Sequence, residues 1–209
     1  MNSASPFASA SHYQPGAVVN YRGAPLPEFF SSTRDEYAHA ATDGAVFDRS
    51  DRGVIRVTGK DRKSWLHNLT TNAVKTLDDN TGNYAFECDV KGRIQFDMNI
   101  LSLAEEIWLD VDLSGAPAAC AHLERFLITE DAATEDVSAS FARLGCCGPA
   151  ATAFATSLGA SNFPAMAALS SQALSEPGVR LVRHDFAGLP GFELYVPRDQ
   201  AAAWWDRAV

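Results

Sequence analysis

NYAFECDVKGRIQFDMNI, residues 83–100, reads as two strands around a tight turn. Tyr84, Phe86, Cys88 and Val90 alternate with Asn83, Ala85, Glu87 and Asp89. After Lys91 and Gly92, the residues Ile94, Phe96, Met98 and Ile100 alternate with Arg93, Gln95, Asp97 and Asn99. A period of two with β-branched and aromatic residues on one face is the strand signal, and a Gly-containing break between two such runs marks a hairpin. The second strand has one wholly apolar face, and its other face carries Gln95, Asp97 and Asn99. Asp97 is therefore a carboxylate in the middle of a rigid strand, where an acid belongs if a pocket is built over the sheet. The bland reading of Asp97 is a partner for some arginine on a solvated face. Tyr84 falls on the hairpin's apolar side, where it is either core or a pocket wall.

Working outward, alternation predicts further strands over residues 54–58, 107–113, 141–147, 179–186 and 192–196. Helices are expected over 34–42, from Asp61 onward, from Ser114, from Gly148-Pro149 to about 158, and over 198–208. Asp61 is the expected N-cap of the second helix, with Trp65, Leu66, Leu69 and Val74 as its stripe. The third helix tolerates Pro117 in its first turn and buries Leu123, Phe126 and Leu127. Residues 17–30 read as a short strand and a Pro-bounded loop, 129–138 as acidic and irregular, and 160–177 as mostly loop. This order predicts an α+β fold, antiparallel sheets layered with helices, over residues 17–209, in two intertwined subdomains. Residues 1–16, rich in Ser, Ala and Pro, read as a flexible tail. Trp204 and Trp205 are large rings that need covering. They point to a segment beyond Val209, or a partner chain, lying over them.

With 209 residues, 46% of them hydrophobic and 21% charged, the chain can bury a sizeable core. A net charge of −9 argues against broad electrostatic binding of nucleic acid. No apolar run approaches the ~20 residues that span a bilayer, and the start lacks a charged region followed by an apolar core, so the default location is cytoplasmic. Cys88, Cys120, Cys146 and Cys147 form no CxxC pair, and no histidine stands at zinc-ligand spacing, so no metal site is expected. Cys146 and Cys147 read as small buried residues rather than a redox pair. There is no GxGxxG and no P-loop.

Four segments, taken in order, resemble the glycine cleavage T-protein family: GAVFDRSDRGVIRVTGKDRKSWLHNLTTNAV (44–74), NYAFECDVKGRIQFD (83–97), CGPAA (147–151) and GFELYVP (191–197). The wider superfamily holds tetrahydrofolate-dependent aminomethyltransferases, demethylases and the YgfZ-type folate-binding accessory proteins of iron–sulfur cluster assembly and tRNA modification. The resemblance implies an aminomethyltransferase folate-binding fold with tetrahydrofolate in a central funnel, and one-carbon transfer from a carrier protein or small amine donor. It implies three site residues. Glu193 matches the glutamate that holds the pterin, a role suited to a carboxylate accepting paired N–H donors. Asp97 matches the aspartate near the folate N10, where it stabilises a developing cation or relays a proton. Tyr84 matches a tyrosine lining the funnel. Alternation alone already places Glu193, between Phe192 and Leu194, on a polar face.

The chain also departs from the family. Phe96 stands where the first of two consecutive aspartates is usual, and Arg93 replaces a glycine. CDVKGR leans toward the YgfZ-type branch and VFDRS toward the T-protein. The C-terminal barrel and the K-G-C-[YF]-x-G-Q-E hallmark of the YgfZ branch would lie beyond Val209.

Overall fold

The computed structural model describes residues 4–186 and 188–209. A hairpin of β1 (Ala17–Tyr21) and β2 (Ala24–Phe29) is followed by α1 (Thr33–Thr42), β3 (Ala45–Asp48), β4 (Arg52–Thr58) and α2 (Arg62–Leu69). Then come β5 (Thr81–Cys88), β6 (Ile94–Ser102), β7 (Ile107–Asp112), α3 (Ala116–Glu124) and β8 (Ala133–Asp136). The chain closes with β9 (Phe141–Cys147), α4 (Pro149–Ser157), β10 (Ser171–Ala173), β11 (Arg180–Arg183), β12 (Gly191–Pro197) and α5 (Ala201–Ala208). The fold is α+β, and its strand pairs are antiparallel. Two compact units form, one from Arg52–Ser138 and the other from the described residues up to Asp51 together with Ala139–Val209.

The Arg52–Ser138 unit is a five-stranded sheet in the order β5-β6-β7-β4-β8. Ile55, Met98, Ile100, Leu109 and Val111 line its core face. Against them α3 buries Ala116, Ala119, Cys120 and Leu123, the i, i+3, i+4, i+7 stripe of one helix face. The helix ends at Glu124, so Phe126 and Leu127, expected on that stripe, lie past it, and Phe126 is exposed. Likewise α2 buries Trp65 and Leu66 but stops at Leu69, and Val74 reaches the core from the following loop. Asp61 does occupy the N-cap position of α2, but its side chain accepts the Asp131 backbone N–H at 2.9 Å instead of capping the helix. The acidic stretch expected to be irregular contains β8, which pairs with β4.

The central hairpin forms as predicted, with one correction. Its turn is built on Asp89, whose Oδ1 accepts the backbone N–H groups of Lys91 and Arg93, and on Gly92, whose φ of 75° suits glycine. The register sets Tyr84 opposite Asn99, and Phe86 opposite Asp97. Cross-strand partners share a face. The aromatic set of β5 therefore lies on the polar face of β6, and Ala85 and Glu87, each 1% exposed, face the core across from Met98 and Phe96. Tyr84 is 47% exposed and is not core.

The other unit is a sheet in the order β10-β11-β12-β9-β3, whose core face carries Leu144, Cys146, Phe192, Leu194 and Val196 under α4 and α5. Residues 17–30, read as one strand and a loop, form the β1–β2 hairpin, with Pro25 and Pro27 in a strand of a two-stranded sheet. Proline is tolerated at such an edge. The 160–177 stretch includes the short strand β10. The tail reading is overturned for residues 4–16, residues 1–3 lying outside the described residues. Phe7 is fully buried, and Ala10 and Tyr13 nearly so. Phe7, Tyr13 and Phe30 pack on Trp205 with ring centroids 5.1, 5.0 and 5.5 Å away. The cover that Trp204 and Trp205 need thus comes from within the chain, and both are buried. No helix among the described residues is long and apolar enough to cross a membrane.

Candidate functional site

The three predicted residues fall in two groups, Glu193 in one unit and Tyr84 with Asp97 in the other. On the polar face of the Arg52–Ser138 sheet, the Tyr84 hydroxyl donates to Asp97 Oδ2 at 2.8 Å. Phe86 stands edge-on to Tyr84, with centroids 5.1 Å apart. Burial and the Asp97 carboxylate raise the Tyr84 hydroxyl above its ordinary pKa. The partner Asp97 takes is thus a tyrosine hydroxyl beside an aromatic wall, in place of the arginine the bland reading supplied. Next on the same face, the Asn99 side-chain amide donates to Asp110 Oδ2 at 2.7 Å, and Arg52 Nε donates to Asp110 Oδ1 at 2.9 Å. Asp110 is buried, and only its place in the apolar strand IWLDVD hinted at this network.

Glu193 lies mid-strand on β12, opposite Gly145 of β9, which in turn faces Phe47 of β3. It is 1% exposed. Arg143 Nη2 donates to its Oε2. Arg49 Nη1 and His184 Nδ1 approach Oε1 at 2.9 and 3.2 Å, but neither makes an aligned hydrogen bond to it. Burial alone would raise the Glu193 carboxyl; the Arg143 and Arg49 guanidiniums, with His184, outweigh it and hold the group well below the usual carboxylate range. The His184 ring stacks on Phe186 at 4.7 Å, and Phe186 stands 5.3 Å from Phe47. This half-buried aromatic patch borders the carboxylate. Sequence reading found Glu193 and missed its three neighbours, two guanidiniums and an imidazole. Arg143, a charge within the apolar run FARLGCC, was the available signal.

The four cysteines are free thiols, and burial pushes Cys146 and Cys147 up, which keeps both protonated. Among the described residues no group of three His, Cys, Asp or Glu side chains is placed to hold a metal ion.

Fold and site together define an α+β protein with two antiparallel five-stranded sheets, each presenting an acid and aromatic rings on its polar face. The chain superimposes over its full length on 57% of the glycine cleavage system aminomethyltransferase T from Bartonella henselae, with a TM-score of 0.88 at 18% identity. A heterotetrameric sarcosine oxidase from Corynebacterium sp. U-96 shares the fold more loosely, with a TM-score of 0.59 over 84% of this chain and 89% of that one, at 18% identity. Residues 3–209 match the GCVT N-terminal domain model, and the chain belongs to that family. Curated relatives include the aminomethyltransferases of Alkaliphilus oremlandii, 26% identical over 98% of this chain and 56% of that protein, and of Geobacillus kaustophilus, 29% identical over 90% and 53%. The chain thus spans about half the length of the curated relatives it matches.

Proposed function

We propose that this chain binds tetrahydrofolate and serves one-carbon transfer of the aminomethyl type, in the cytoplasm, with a carrier protein or small amine as donor. The residues present fit the cofactor in kind. Glu193 Oε1 is a buried, ionised acceptor with no aligned hydrogen bond, and a carboxylate has about four lone-pair sites to offer. That buried acceptor, approached by Arg49 and His184 without an aligned hydrogen bond, is the observation that carries the reading, because adjacent N–H donors of a pterin answer it as charge-assisted bonds. Phe186 and Phe47 supply an apolar border beside it. Tetrahydrofolate, when bound, supplies amine nitrogens that accept the one-carbon unit.

The chain's own part is binding, orientation and charge. Glu193 anchors and orients the pterin. Asp97, held by the Tyr84 hydroxyl on a rigid strand, would offer bound folate a negative charge or a proton acceptor. Tyr84 and Phe86 give that carboxylate an aromatic flank.

Isothermal titration with tetrahydrofolate tests the reading. Glu193→Ala is expected to lose about 2 kcal/mol or more of affinity, the scale for a charged hydrogen-bonding group. Glu193→Gln, of similar volume, is expected to lose most of the same. Unchanged affinity in a folded Glu193→Gln protein ends the anchor role. Asp97→Asn should leave binding within a few-fold while lowering methylene transfer. Folate uptake without any transfer by the wild type would favour the YgfZ-type, non-catalytic alternative.

A further inference from the structure

Arg143 lies deep in an apolar strand. It is 2% exposed in β9, whose sequence is otherwise FA-LGCC. A guanidinium at that depth is costly unless its partners compensate, so the partners define its role. Its cross-strand neighbour on β12 is Tyr195, and the guanidinium carbon stands 4.3 Å from that ring's centre. The Nη2 group donates to Oε2 of Glu193, two residues earlier on β12. Gly145, directly opposite Glu193, makes room for the Phe186 ring, because a Cβ there would come to 2.8 Å from Phe186 Cζ.

The two carboxylate oxygens are therefore unequal. Oε2 is taken by Arg143, whereas Oε1 has Arg49 and His184 nearby but no aligned donor. Arg49 divides itself between Glu193 and Asp51, which it reaches at 3.3 Å. His184 stands at the partly exposed edge of the cluster. Arg143, by contrast, is planar, rests on the Tyr195 ring and is committed to the interior, so it can hold one geometry.

We infer that Arg143 is a positioning residue, which binds Oε2 to fix the Glu193 side chain and so presents Oε1 to the paired N–H donors of a bound pterin. The inference rests on the folate reading above and adds to it a division of labour between the two oxygens. It assigns Arg143 no contact with the ligand.

The test uses Arg143→Met and Arg143→Lys with two readouts. One is isothermal titration with tetrahydrofolate; the other is isotope-edited infrared titration of glutamate carboxyls in the ligand-free protein. Arg143→Met is expected to weaken binding about tenfold or more, the effect of loosening a charged hydrogen-bonding group. In mild acid it should also show a protonated carboxyl that the Arg143→Met/Glu193→Gln double variant lacks. Arg143→Lys keeps the charge without the planar fork. It is expected to stay ionised in the infrared while binding several-fold more weakly than wild type, because a flexible ammonium does not fix the carboxylate. Wild-type affinity in a folded Arg143→Met protein overturns the inference. Should that variant not fold, wild-type affinity in Arg143→Lys overturns it equally. If the wild type itself takes up no folate, the folate reading fails. An unchanged carboxyl titration in Arg143→Met, or in Arg143→Lys no loss of the wild-type carboxylate stretching frequency, would then sink the positioning role on its own.

Discussion

At the scale of single residues, the site is governed by one acid with two guanidiniums and an imidazole beside it. Glu193 is buried, yet Arg143, Arg49 and His184 reverse the effect of burial and depress its folded pKa. A depressed carboxyl stabilises the fold above its unfolded pKa of about 4.3, and that contribution is lost as pH falls toward the folded value. Denaturation of wild type and Glu193→Gln should therefore differ by a constant amount above about pH 5, with the gap narrowing at lower pH. A gap that widens on acidification would mean that Glu193 is protonated in the native state. How much of this was legible depends on distance along the chain. The acid itself was readable, because alternation in GFELYVP and the family resemblance both single it out. Its partner Arg143 is 50 residues away, and the Glu193–Gly145 register that brings them together has no local signature. Tyr84 shows the converse. Its alternation was read correctly, but only the pairing with Asn99 decides which face that alternation occupies, and a one-residue change of register inverts it.

At the scale of elements, the β5–β6 hairpin turns Tyr84 and Asp97 one way and a buried acid the other. Glu87 points from β5 into the core, where its Oε1 lies 3.0 Å from Nε2 of His122 in the last turn of α3. Phe96 and Phe126 flank that imidazole at 5.9 and 5.3 Å. The contact ties α3 to the back of the strand that holds Tyr84. His122 Nε2 makes no aligned hydrogen bond, so the tie is a close polar contact; His122→Leu, which removes it, should cost about 1 kcal/mol of stability. Adding Glu87→Leu to that variant should recover most of the loss, since removing both polar partners leaves nothing unsatisfied. Urea denaturation of the two single variants and the double supplies the cycle. Additive losses would show that the two side chains do not interact. Elements with strong periodicity, such as β6, β7, β9 and α3, were legible because one face is apolar throughout. By contrast, β8 and β10 were not. Each is short, and the polar residues of Ala133–Asp136 become a strand only because β4 offers an unpaired edge.

At the scale of the whole chain, the first and last segments are joined in one core, and neither end discloses this alone. Phe7, Tyr13 and Phe30 enclose Trp205, while the Asp206 carboxylate accepts the backbone N–H groups of Ser11 and His12 at 2.9 and 2.8 Å. Tyr13 also donates to Asp48 Oδ2 at 2.6 Å, at the end of the strand that leads to Arg49. The opening residues therefore support the same unit that holds Glu193. Composition suggested a tail because Ser, Ala and Pro dominate the segment, but Phe7 and Tyr13 within it, joined by Phe30 after the β1–β2 hairpin, outweigh that composition. A buried Phe truncated to Ala costs about 3–5 kcal/mol where the surroundings cannot collapse. Phe7→Ala should accordingly destabilise the unit by roughly that amount, seen as a lower denaturation midpoint in tryptophan fluorescence and as earlier hydrogen exchange in β9 and β12. A tail that merely lay on the surface would give a change within about 0.5 kcal/mol, and that result would remove the N-terminal segment from the core.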